Sequence, residues 1–251
     1  MGSVVLIPAR YASKRLHAKL VLPEVKSVTG RYMIEHVYQN VKEAKKIDRV
    51  IVATDSKDIY DVVKGFGGEV EMTSTAHKSG TDRIAEVAAR IEADIIVNVQ
   101  GDEPEVNPAM VDQLIDTLRE DKQAKMATLA HKMEDLVEIT DPNVVKVVLD
   151  NSGYALYFSR AKIPYVRDEK DGDGNPHSIF LRHIGIYAYQ REFLLRYSTL
   201  PASPLEHDEK LEQLRALSNG YKIKVALTHY LPIGIDTRDD LNLFMERYNY
   251  D

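Results

Sequence analysis

The stretch RVIVATDSKDIYDVVKGFGGEVEM, residues 49–72, decides the fold class. It opens with an apolar run, Arg49–Ala53, of the kind that forms a strand buried on both faces. Helical spacing over Lys57–Phe66 follows and ends at Gly67-Gly68, where glycine favours a helix C-cap. A second short strand is predicted over Glu69–Met72. A strand, a helix and a strand in immediate succession are typical of the βαβ unit of a parallel sheet.

The same alternation continues on both sides of this unit. Strands and helices are predicted, in chain order, over Val4–Pro8, Met33–Ala44, Thr81–Ile91, Ile95–Val99 and Pro108–Leu118. A polar loop is predicted from the end of the first strand to about Gly30. We therefore expect an α/β fold with a doubly wound, mostly parallel sheet of the Rossmann-like kind.

The rhythm changes after about residue 125, where strands follow one another with less helix between them. Strands are predicted over Met126–His131, Val144–Leu149, Ala155–Ser159, His183–Tyr189 and Lys222–Leu227, and helices over Leu205–Ser218 and Arg238–Tyr248. The Gly- and Asp-rich segment Asp168–Pro176 is predicted to be a surface loop. We expect one domain over 1–251, with a parallel half, about 1–125, and a smaller mixed-sheet extension, about 126–251.

The composition excludes several classes of protein. Of the 251 residues, 44% are hydrophobic and 29% are charged, which is ordinary for a soluble globular protein. There are no cysteines, so disulfides, thiolate zinc sites and cysteine nucleophiles are excluded, which fits a reducing cytosol. No apolar run approaches the ~18 residues that span a membrane, and the start resembles neither a signal peptide nor a myristoylation signal. We expect a cytoplasmic protein with no membrane partner.

The charge is distributed unevenly along the chain. The net charge is −6, which argues against a nucleic-acid partner. Residues 1–31, however, contain six basic residues and one acidic residue. This basic segment directly follows a buried-type strand, so it indicates a local anion site, although a solvated charged loop is the commoner explanation of such a run.

Ligands of open parallel sheets bind beyond the carboxyl ends of the strands, so three loops are expected to meet at one cleft. The first, PARYASKRLHAK at 8–19, offers Arg10, Ser13, Arg15 and Lys19 and backbone amides to a triphosphate. Neither G-x-x-x-x-G-K-[ST] nor G-x-G-x-x-G occurs in the chain, so the usual nucleotide motifs give no support. By itself this loop predicts only an anion site.

The second loop, MTSTAHKSGTDR at 72–83, is rich in hydroxyl groups. Its hydroxyls and Gly80 suit hydrogen bonds to a base edge and a ribose. Ser79 or Thr81 is equally suited to cap the next helix, and spacing alone favours that role.

The third loop, VNVQGDEP at 97–104, places Asp102 directly after a buried strand. Magnesium usually takes one or two carboxylates together with substrate phosphates. Asp236, in IGIDT at 233–237, is a candidate for a second carboxylate. The alternative for each is an aspartate in an ordinary turn.

Taken together, the chain resembles the 3-deoxy-manno-octulosonate (Kdo) cytidylyltransferase, or CMP-Kdo synthetase, family. The combination of HKSGTDR, VQGDEP and LEQLR is specific to this group of nucleotidyltransferases. The matching stretches span Val4–Leu241 in order and include IPARYASKRL at 7–16, VATD at 52–55, GGEVEMTSTAHKSGTDRIAEV at 67–87, IVNVQGDEP at 96–104, NVVKVVLD at 143–150, GYALYFSRAKIPY at 153–165, LRHIGIYAY at 181–189, SPLEHDEKLEQLRAL at 203–217 and IDTRDDL at 235–241.

The resemblance implies a role for each matching position. The catalytic residues would be Arg10, Lys19, Asp102 and Asp236, the last two binding Mg²⁺. CTP would contact Pro8, Ala9, Arg10, Ser13, Lys19, Thr73, Ser79, Gly80, Thr81 and Gln100. The Kdo pocket would consist of Gln100, Arg160, His183, Tyr187, Glu212 and Gln213. Without the resemblance, His183 would be interpreted as a core histidine, and Glu212 and Gln213 as solvent-facing residues of a helix.

The implied reaction is transfer of CMP from CTP to the anomeric hydroxyl of Kdo, with release of pyrophosphate, for lipopolysaccharide biosynthesis. The resemblance also implies a homodimer formed through the sheet of the second half. Two alternatives stay open: a cytidylyltransferase for a related acidic sugar (8-amino-Kdo or a sialic acid), and a CTP-binding protein with weakened catalysis.

The second alternative is motivated by one departure from the family pattern. The family usually has R-L-P-G-K-P where this chain has R-L-H-A-K-L at 15–20, so His17, Ala18 and Leu20 replace Pro, Gly and Pro. If the glycine serves a positive φ or a close approach of phosphate, Ala18 is expected to strain or reshape the loop.

Overall fold

The strands of both halves belong to one sheet. The computed structural model of the chain describes residues 2–11, 16–167 and 180–248. Ser13, Arg15 and the predicted loop Asp168–Pro176 lie outside them. The strands are β1 Ser3–Ala9, β2 Arg49–Thr54, β3 Glu69–Met72, β4 Ile95–Asn98, β5 Met126–Lys132, β6 Lys146–Leu149, β7 Ala155–Ser159, β8 Leu181–Gln190 and β9 Ile223–Leu227.

The helices between them are mostly short. They are α1 Pro23–Thr29, α2 Met33–Lys42, α3 Lys57–Gly65, α4 Gly80–Arg90, α5 Pro108–Glu120, α6 Leu136–Thr140, α7 Arg191–Tyr197, α8 Pro204–Glu209, α9 Leu214–Ser218 and α10 Arg238–Arg247. Helices α6 and α7 were not predicted from the sequence. A 3₁₀ turn over Lys19–Val21 precedes α1.

The sheet has the order β3-β2-β1-β4-β8-β5-β9. Strands β3, β2, β1 and β4 pair in parallel, and β5 pairs in parallel with β9. β8 is antiparallel to both β4 and β5, and β6 joins β8 and β7 beside this path. The predicted α/β fold, mostly parallel with a mixed-sheet extension, is confirmed.

Helices cover both faces of the sheet, as expected for a doubly wound fold. On one face, β1 and β2 pack against apolar side chains of α2, α3 and α5, including Ile34, Ile59 and Leu114. On the other face they pack against α4, α7 and α9, including Ile84 and Leu194. Burial on both faces explains why β1 is apolar without alternation, since both sets of its side chains face a core.

The predicted single helix over Leu205–Ser218 is wrong. The chain forms α8, leaves the helix at Lys210, which has a φ of 54°, and resumes as α9. The spacing of the leucines suggested one continuous helix, since Leu211 and Leu214 are both buried. Leu211, however, lies in the turn between the two helices and not in a helix. Lysine gave no signal for a left-handed backbone, which the sequence usually marks with Gly or Asn.

The predicted polar loop from residue 9 to Gly30 is also wrong in its second part, which contains α1. The start and stop signals of this helix are present in the sequence. Pro23 occupies the first turn, and Gly30, with a φ of 78°, lies just past the end. Only Val25 of α1 is fully buried, so the helix lacks the apolar stripe on which the sequence prediction relied.

A buried histidine ties α1 and α10 to α2. The side chain of His36 is hydrogen-bonded to Thr29 at 2.7 Å and packs against the rings of Phe244 and Tyr248. Burial, and to a lesser extent the charge of Arg31, lowers its pKa from 6.5 to about 4. The ring is therefore neutral in the folded protein at neutral pH.

This burial predicts a loss of stability in acid. Between pH 6.5 and about 4 the unfolded chain protonates His36 more readily than the folded chain does. The free energy of unfolding should therefore decrease by roughly 3 kcal/mol from this residue as the pH falls through that window. His36→Gln, which keeps a hydrogen-bonding group near Thr29, should remove this part of the loss in urea titrations at several pH values. His207→Gln, at a side chain that is 79% exposed, should leave the pH dependence unchanged. Equal curves for wild type and His36→Gln would contradict the assignment.

Candidate active site

The three loops predicted to meet do so at the end of β1. A Cβ added to Gly80, in the second loop, would lie 3.2 Å from Pro8 Cγ. A Cβ added to Gly101, in the third, would lie 3.1 Å from the carbonyl oxygen of Pro8. Arg10 reaches across the cleft and donates to the carbonyl of Lys78 at 3.5 Å. Glycine at 80 and 101 thus permits the close approach of the three loops.

Lys19 lies between the two carboxylates predicted to bind metal. Its Nζ is 2.6 Å from Asp102 Oδ2 and 3.2 Å from Asp236 Oδ1, and it donates to the carbonyl oxygen of Ile235 at 2.8 Å. The lysine is 8% exposed, so its ammonium is satisfied almost wholly by these oxygens. Three residues predicted from separate segments therefore form one cluster.

Backbone hydrogen bonds hold the two aspartates in place. The amide of Ile235 donates to the carbonyl oxygen of Asp102 at 2.9 Å, which fixes the two segments side by side. The next residues begin α10 with a capping box formed by Thr237 and Asp240. Asp240 also accepts from the amide of Asp236 at 3.0 Å. The positions of both carboxylates are thus set by regular structure.

The donor set of this cluster fits magnesium. Asp102 and Asp236 converge on one cation, the Lys19 ammonium, and oxygen ligands are those that Mg²⁺ prefers. Within the described residues, no group of three or more His, Cys, Asp or Glu side chains that could hold a metal ion is found. Burial raises the pKa of the neighbouring Glu103 to about 8, and the charges of Asp102 and Asp236 add to that effect.

Ala18 adopts a left-handed backbone conformation, which is usually occupied by glycine. Its φ is 53° and its ψ is 21°, in the left-handed region. The amide of Ala18 donates to Tyr11 at 3.1 Å, and its carbonyl accepts from Val21 at 2.9 Å, so both sides of the residue are tied. A non-glycine residue at this positive φ is strained, and the two hydrogen bonds hold the backbone before Lys19 in that turn.

Larger side chains at position 18 should therefore disturb the site. Ala18→Gly relieves about 1 kcal/mol of left-handed strain but loses a buried methyl group of similar value, so its stability should stay near that of wild type. Ala18→Val should lower the free energy of unfolding by about 1–3 kcal/mol, because a branched Cβ tolerates positive φ poorly. Urea unfolding measures both. Lys210→Gly, at an exposed residue with a φ of 54°, reports the relief of strain without a buried methyl group. Equal stability of the Gly and Val variants would contradict the strain.

Ser79 caps α4, as its spacing suggested. Its Oγ accepts from the amide of Asp82 at 3.1 Å, and it also lies 3.5 Å from Glu212 Oε1. Beneath the same loop, the fully buried Arg83 donates to Thr73 Oγ1 and to Asp55 Oδ2. The hydroxyl groups predicted to contact cytidine are therefore held by the protein before any ligand binds.

A pocket of about 320 Å³ joins the two predicted subsites. Six of its lining residues were predicted: Gly80, Thr81 and Gln100 for the nucleotide, and Tyr187, Glu212 and Gln213 for the sugar. The sequence reasoning missed five others, namely Asn98, Met126, Gly185, Tyr189 and Tyr197. Of these five, only Asn98 was indicated by the sequence. It lies two residues before Gln100, so the two side chains are on the same side of an extended chain.

Burial shifts the pKa of the ionisable groups around this pocket in the direction that favours their neutral forms. Burial raises the pKa of Glu212 and that of Tyr187. Burial lowers the pKa of His183 to about 3, and its ring lies between those of Phe158 and Tyr187. A neutral imidazole hydrogen-bonds hydroxyl groups but does not pair with a carboxylate.

Arg160 is not among the residues that line this pocket. Its Nε donates to the carbonyl of Glu209 at 2.8 Å and its Nη1 to that of Pro142 at 3.0 Å. Its own backbone amide donates to Glu209 Oε2 at 2.9 Å. The end of α8 therefore holds Arg160 directly after β7. In the turn that follows α8, the carbonyl oxygen of Glu212 accepts from the hydroxyl of Tyr197 at 2.6 Å.

Comparison with known proteins places the chain in a family. The family model described as cytidylyltransferase matches residues 4–223. The chain belongs to the cytidylyltransferase family. Within the described residues, no helix is both long and apolar enough to cross a membrane.

Two relatives and one solved structure show which members of the cytidylyltransferase family this chain is similar to. It is 48% identical to the 3-deoxy-manno-octulosonate cytidylyltransferase of Trichlorobacter lovleyi over 98% of both chains. It is 51% identical to the enzyme of that name from Syntrophotalea carbinolica over 96% of both chains. A solved CMP:2-keto-3-deoxy-manno-octonic acid synthetase, complexed with CTP, superimposes with a TM-score of 0.91 and is 39% identical over 100% of this chain and 99% of that one. The resemblance found in the sequence motifs is confirmed.

Proposed function

We propose that this cytidylyltransferase transfers CMP from CTP to the anomeric hydroxyl of Kdo and releases pyrophosphate. The observation that carries the proposal is the single pocket in which Gly80, Thr81 and Gln100 face Tyr187, Glu212 and Gln213. One cavity lined by both predicted sets would bring a nucleotide and an acidic sugar together, which supports the proposal. The relatives that match nearly the whole chain carry the name of this activity.

The chain's own residues supply positioning and charge. In the reaction the anomeric oxygen attacks the α-phosphorus and its hydroxyl proton is released to solvent, while the bond to the oxygen of the β-phosphate breaks and pyrophosphate leaves with the electron pair. Arg10 and Lys19, at the rim of this cleft, would bind the phosphates and offset the charge that builds on the leaving group. Thr73, Ser79 and Thr81 would orient the cytidine, and no protein nucleophile is required.

Asp102 and Asp236 would hold Mg²⁺. When bound there, the ion would polarise the α-phosphate and neutralise its charge. The two carboxylates already face a single cation in the form of Lys19, which supports this assignment.

The sugar would be held by groups of the second half. The neutral His183 and Tyr187 suit hydroxyl groups, whereas Arg160 carries the positive charge that suits the sugar carboxylate. Arg160 is the residue that would have to reorient, because two of its guanidinium nitrogens donate to backbone carbonyls.

Pyrophosphate release from CTP and Mg²⁺, measured with and without Kdo, tests the proposed function. Kdo-dependent release is expected, and 8-amino-Kdo and a sialic acid run in parallel compare the related sugars. CTP binding without release in the presence of any of the three sugars would overturn the proposal and favour a CTP-binding protein with weakened catalysis.

We further propose that the protein is a homodimer that associates through its second half. Large apolar side chains are exposed there at Val137, Leu156, Leu227 and Leu231, with between 40% and 74% of each accessible. Light scattering of the purified protein distinguishes one chain from two. The cytoplasmic location stays a prediction.

A further inference from the structure

Two residues that line the pocket each carry a buried polar atom without a hydrogen-bond partner among the described residues. Among the residues that the structure describes, four buried side-chain nitrogen or oxygen atoms lack a hydrogen bond, and two of them, Asn98 Oδ1 and Gln213 Nε2, belong to residues lining this pocket. Asn98 is 2% exposed and Gln213 is 4% exposed. Buried polar groups in folded proteins are nearly always paired, so an unpaired acceptor and an unpaired donor at one cavity point to a ligand that pairs them.

The neighbouring Tyr189 indicates how the Asn98 amide is oriented. Burial raises the pKa of Tyr189, and hydrogen bonds from Thr81 and Asn98 to its phenol oppose that rise. A hydrogen bond lowers a phenol's pKa when it is donated to the oxygen, so the NH₂ group of Asn98 faces Tyr189. The amide oxygen is the remaining atom, and it is the one without a partner.

The sheet register places Asn98 on the sugar side of the cleft. Asn98 is the last residue of β4 and pairs across the antiparallel ladder with Tyr187 of β8. Cross-strand partners project from the same face of a sheet, so the two side chains stand next to each other in the pocket. Gln213, at the start of α9, faces the same cavity from the opposite layer.

We propose that Asn98 recognises the sugar, its Oδ1 accepting a hydrogen bond from a sugar hydroxyl while Gln213 Nε2 donates to an oxygen of the same sugar. The inference rests on the proposed function, because that function puts an acidic sugar in this pocket. An amide oxygen needs a donor, and a polyhydroxylated sugar offers donors whereas its carboxylate does not. Asn98 would therefore read the hydroxylated part of the sugar, and Arg160 its acid group.

The test compares Asn98→Leu with wild type in the pyrophosphate assay. Leucine has nearly the shape of asparagine but no acceptor, so KM for Kdo should rise by about 10- to 100-fold, the effect of leaving one buried hydrogen bond unmade. The KM for CTP, and the CTP dissociation constant measured by calorimetry, should change by less than about twofold, because Asn98 is proposed to contact the sugar and not the nucleotide. Asn98→Ser repeats the comparison with a smaller polar residue if the leucine variant is insoluble. Tyr189→Phe, which removes the hydroxyl facing the Asn98 and Thr81 side chains but keeps Asn98 Oδ1, should raise KM for Kdo less than Asn98→Leu does.

Kdo analogues that each lack one hydroxyl identify the contact. One analogue should bind wild type more weakly than Kdo does and lose nothing further in Asn98→Leu, because both changes remove the same hydrogen bond. If for every analogue the loss of affinity adds to the loss caused by Asn98→Leu, Asn98 does not contact a sugar hydroxyl. An equal rise of the KM values for Kdo and CTP would also overturn the role of Asn98. A wild-type protein without Kdo-dependent release would instead overturn the proposed function, so the two failures are distinguishable.

Discussion

Asp102→Asn is expected to reduce turnover by at least about 10³-fold while the protein stays folded. Asparagine keeps the size of the side chain but has one neutral oxygen where aspartate has a charged pair. The reaction moves a highly charged triphosphate, and the carboxylate is proposed to hold the cation that neutralises it. The loss should appear in kcat, since the neutralised charge develops as pyrophosphate leaves.

The fold should tolerate this change because the structural bond at position 102 is made by the backbone. The carbonyl oxygen of Asp102 accepts from Ile235, and the substitution does not alter that bond. Pyrophosphate release measures turnover, and thermal unfolding checks the fold. Asp239→Asn, at an exposed aspartate in the first turn of α10, is the matched control and should retain full activity. Turnover of Asp102→Asn within threefold of wild type would remove this carboxylate from the reaction.

Lys19→Met is expected to lower kcat/KM for CTP by about 10²–10³-fold. The ammonium of Lys19 lies against both aspartates, so phosphates bound at this cluster would lie close to its positive charge. Methionine fills similar space without charge. It would leave two carboxylates facing each other, which further weakens the binding of an anionic nucleotide.

Steady-state kinetics over a range of CTP concentrations measure this effect. Lys42→Met, at an exposed lysine of α2, is the control for loss of one positive charge and should behave as wild type. Lys19→Arg should also lose activity, because a planar guanidinium does not fit the place of a compact ammonium among three oxygens. Unchanged kcat/KM for CTP in Lys19→Met would mean that Lys19 only pairs the carboxylates.

The sequence was sufficient for the sheet and for the meeting point of the loops, because both follow from local patterns. Buried strands such as Val4–Pro8 are apolar throughout, and parallel strands place their carboxyl ends at one edge. The sequence was insufficient where the deciding contacts are distant along the chain. Nothing near Lys19 indicates that its ammonium lies between two aspartates, one of which is more than 200 residues away.

The side chains of the sugar side show the same limit. Glu212 and Gln213, taken alone, suggested the exposed side of a helix, but Gln213 is buried and Glu212 lines the pocket. Asn98 lies in an apolar strand, and its significance depends on Tyr187 and Tyr189, which another strand brings beside it. Family motifs identified several of these positions, whereas periodicity identified none.

The interruption between α8 and α9 has a consequence for how this protein can vary. Carbonyl groups on either side of Lys210, those of Glu209 at the end of α8 and Glu212 in the turn, accept hydrogen bonds from Arg160 and Tyr197 respectively. One extra residue after Lys210 would displace Glu212 along the chain relative to Glu209, so the two hydrogen bonds could not both be kept. We expect insertions and deletions here to be far less tolerated than exchanges of exposed side chains. The turn is constrained in its length more than in its composition.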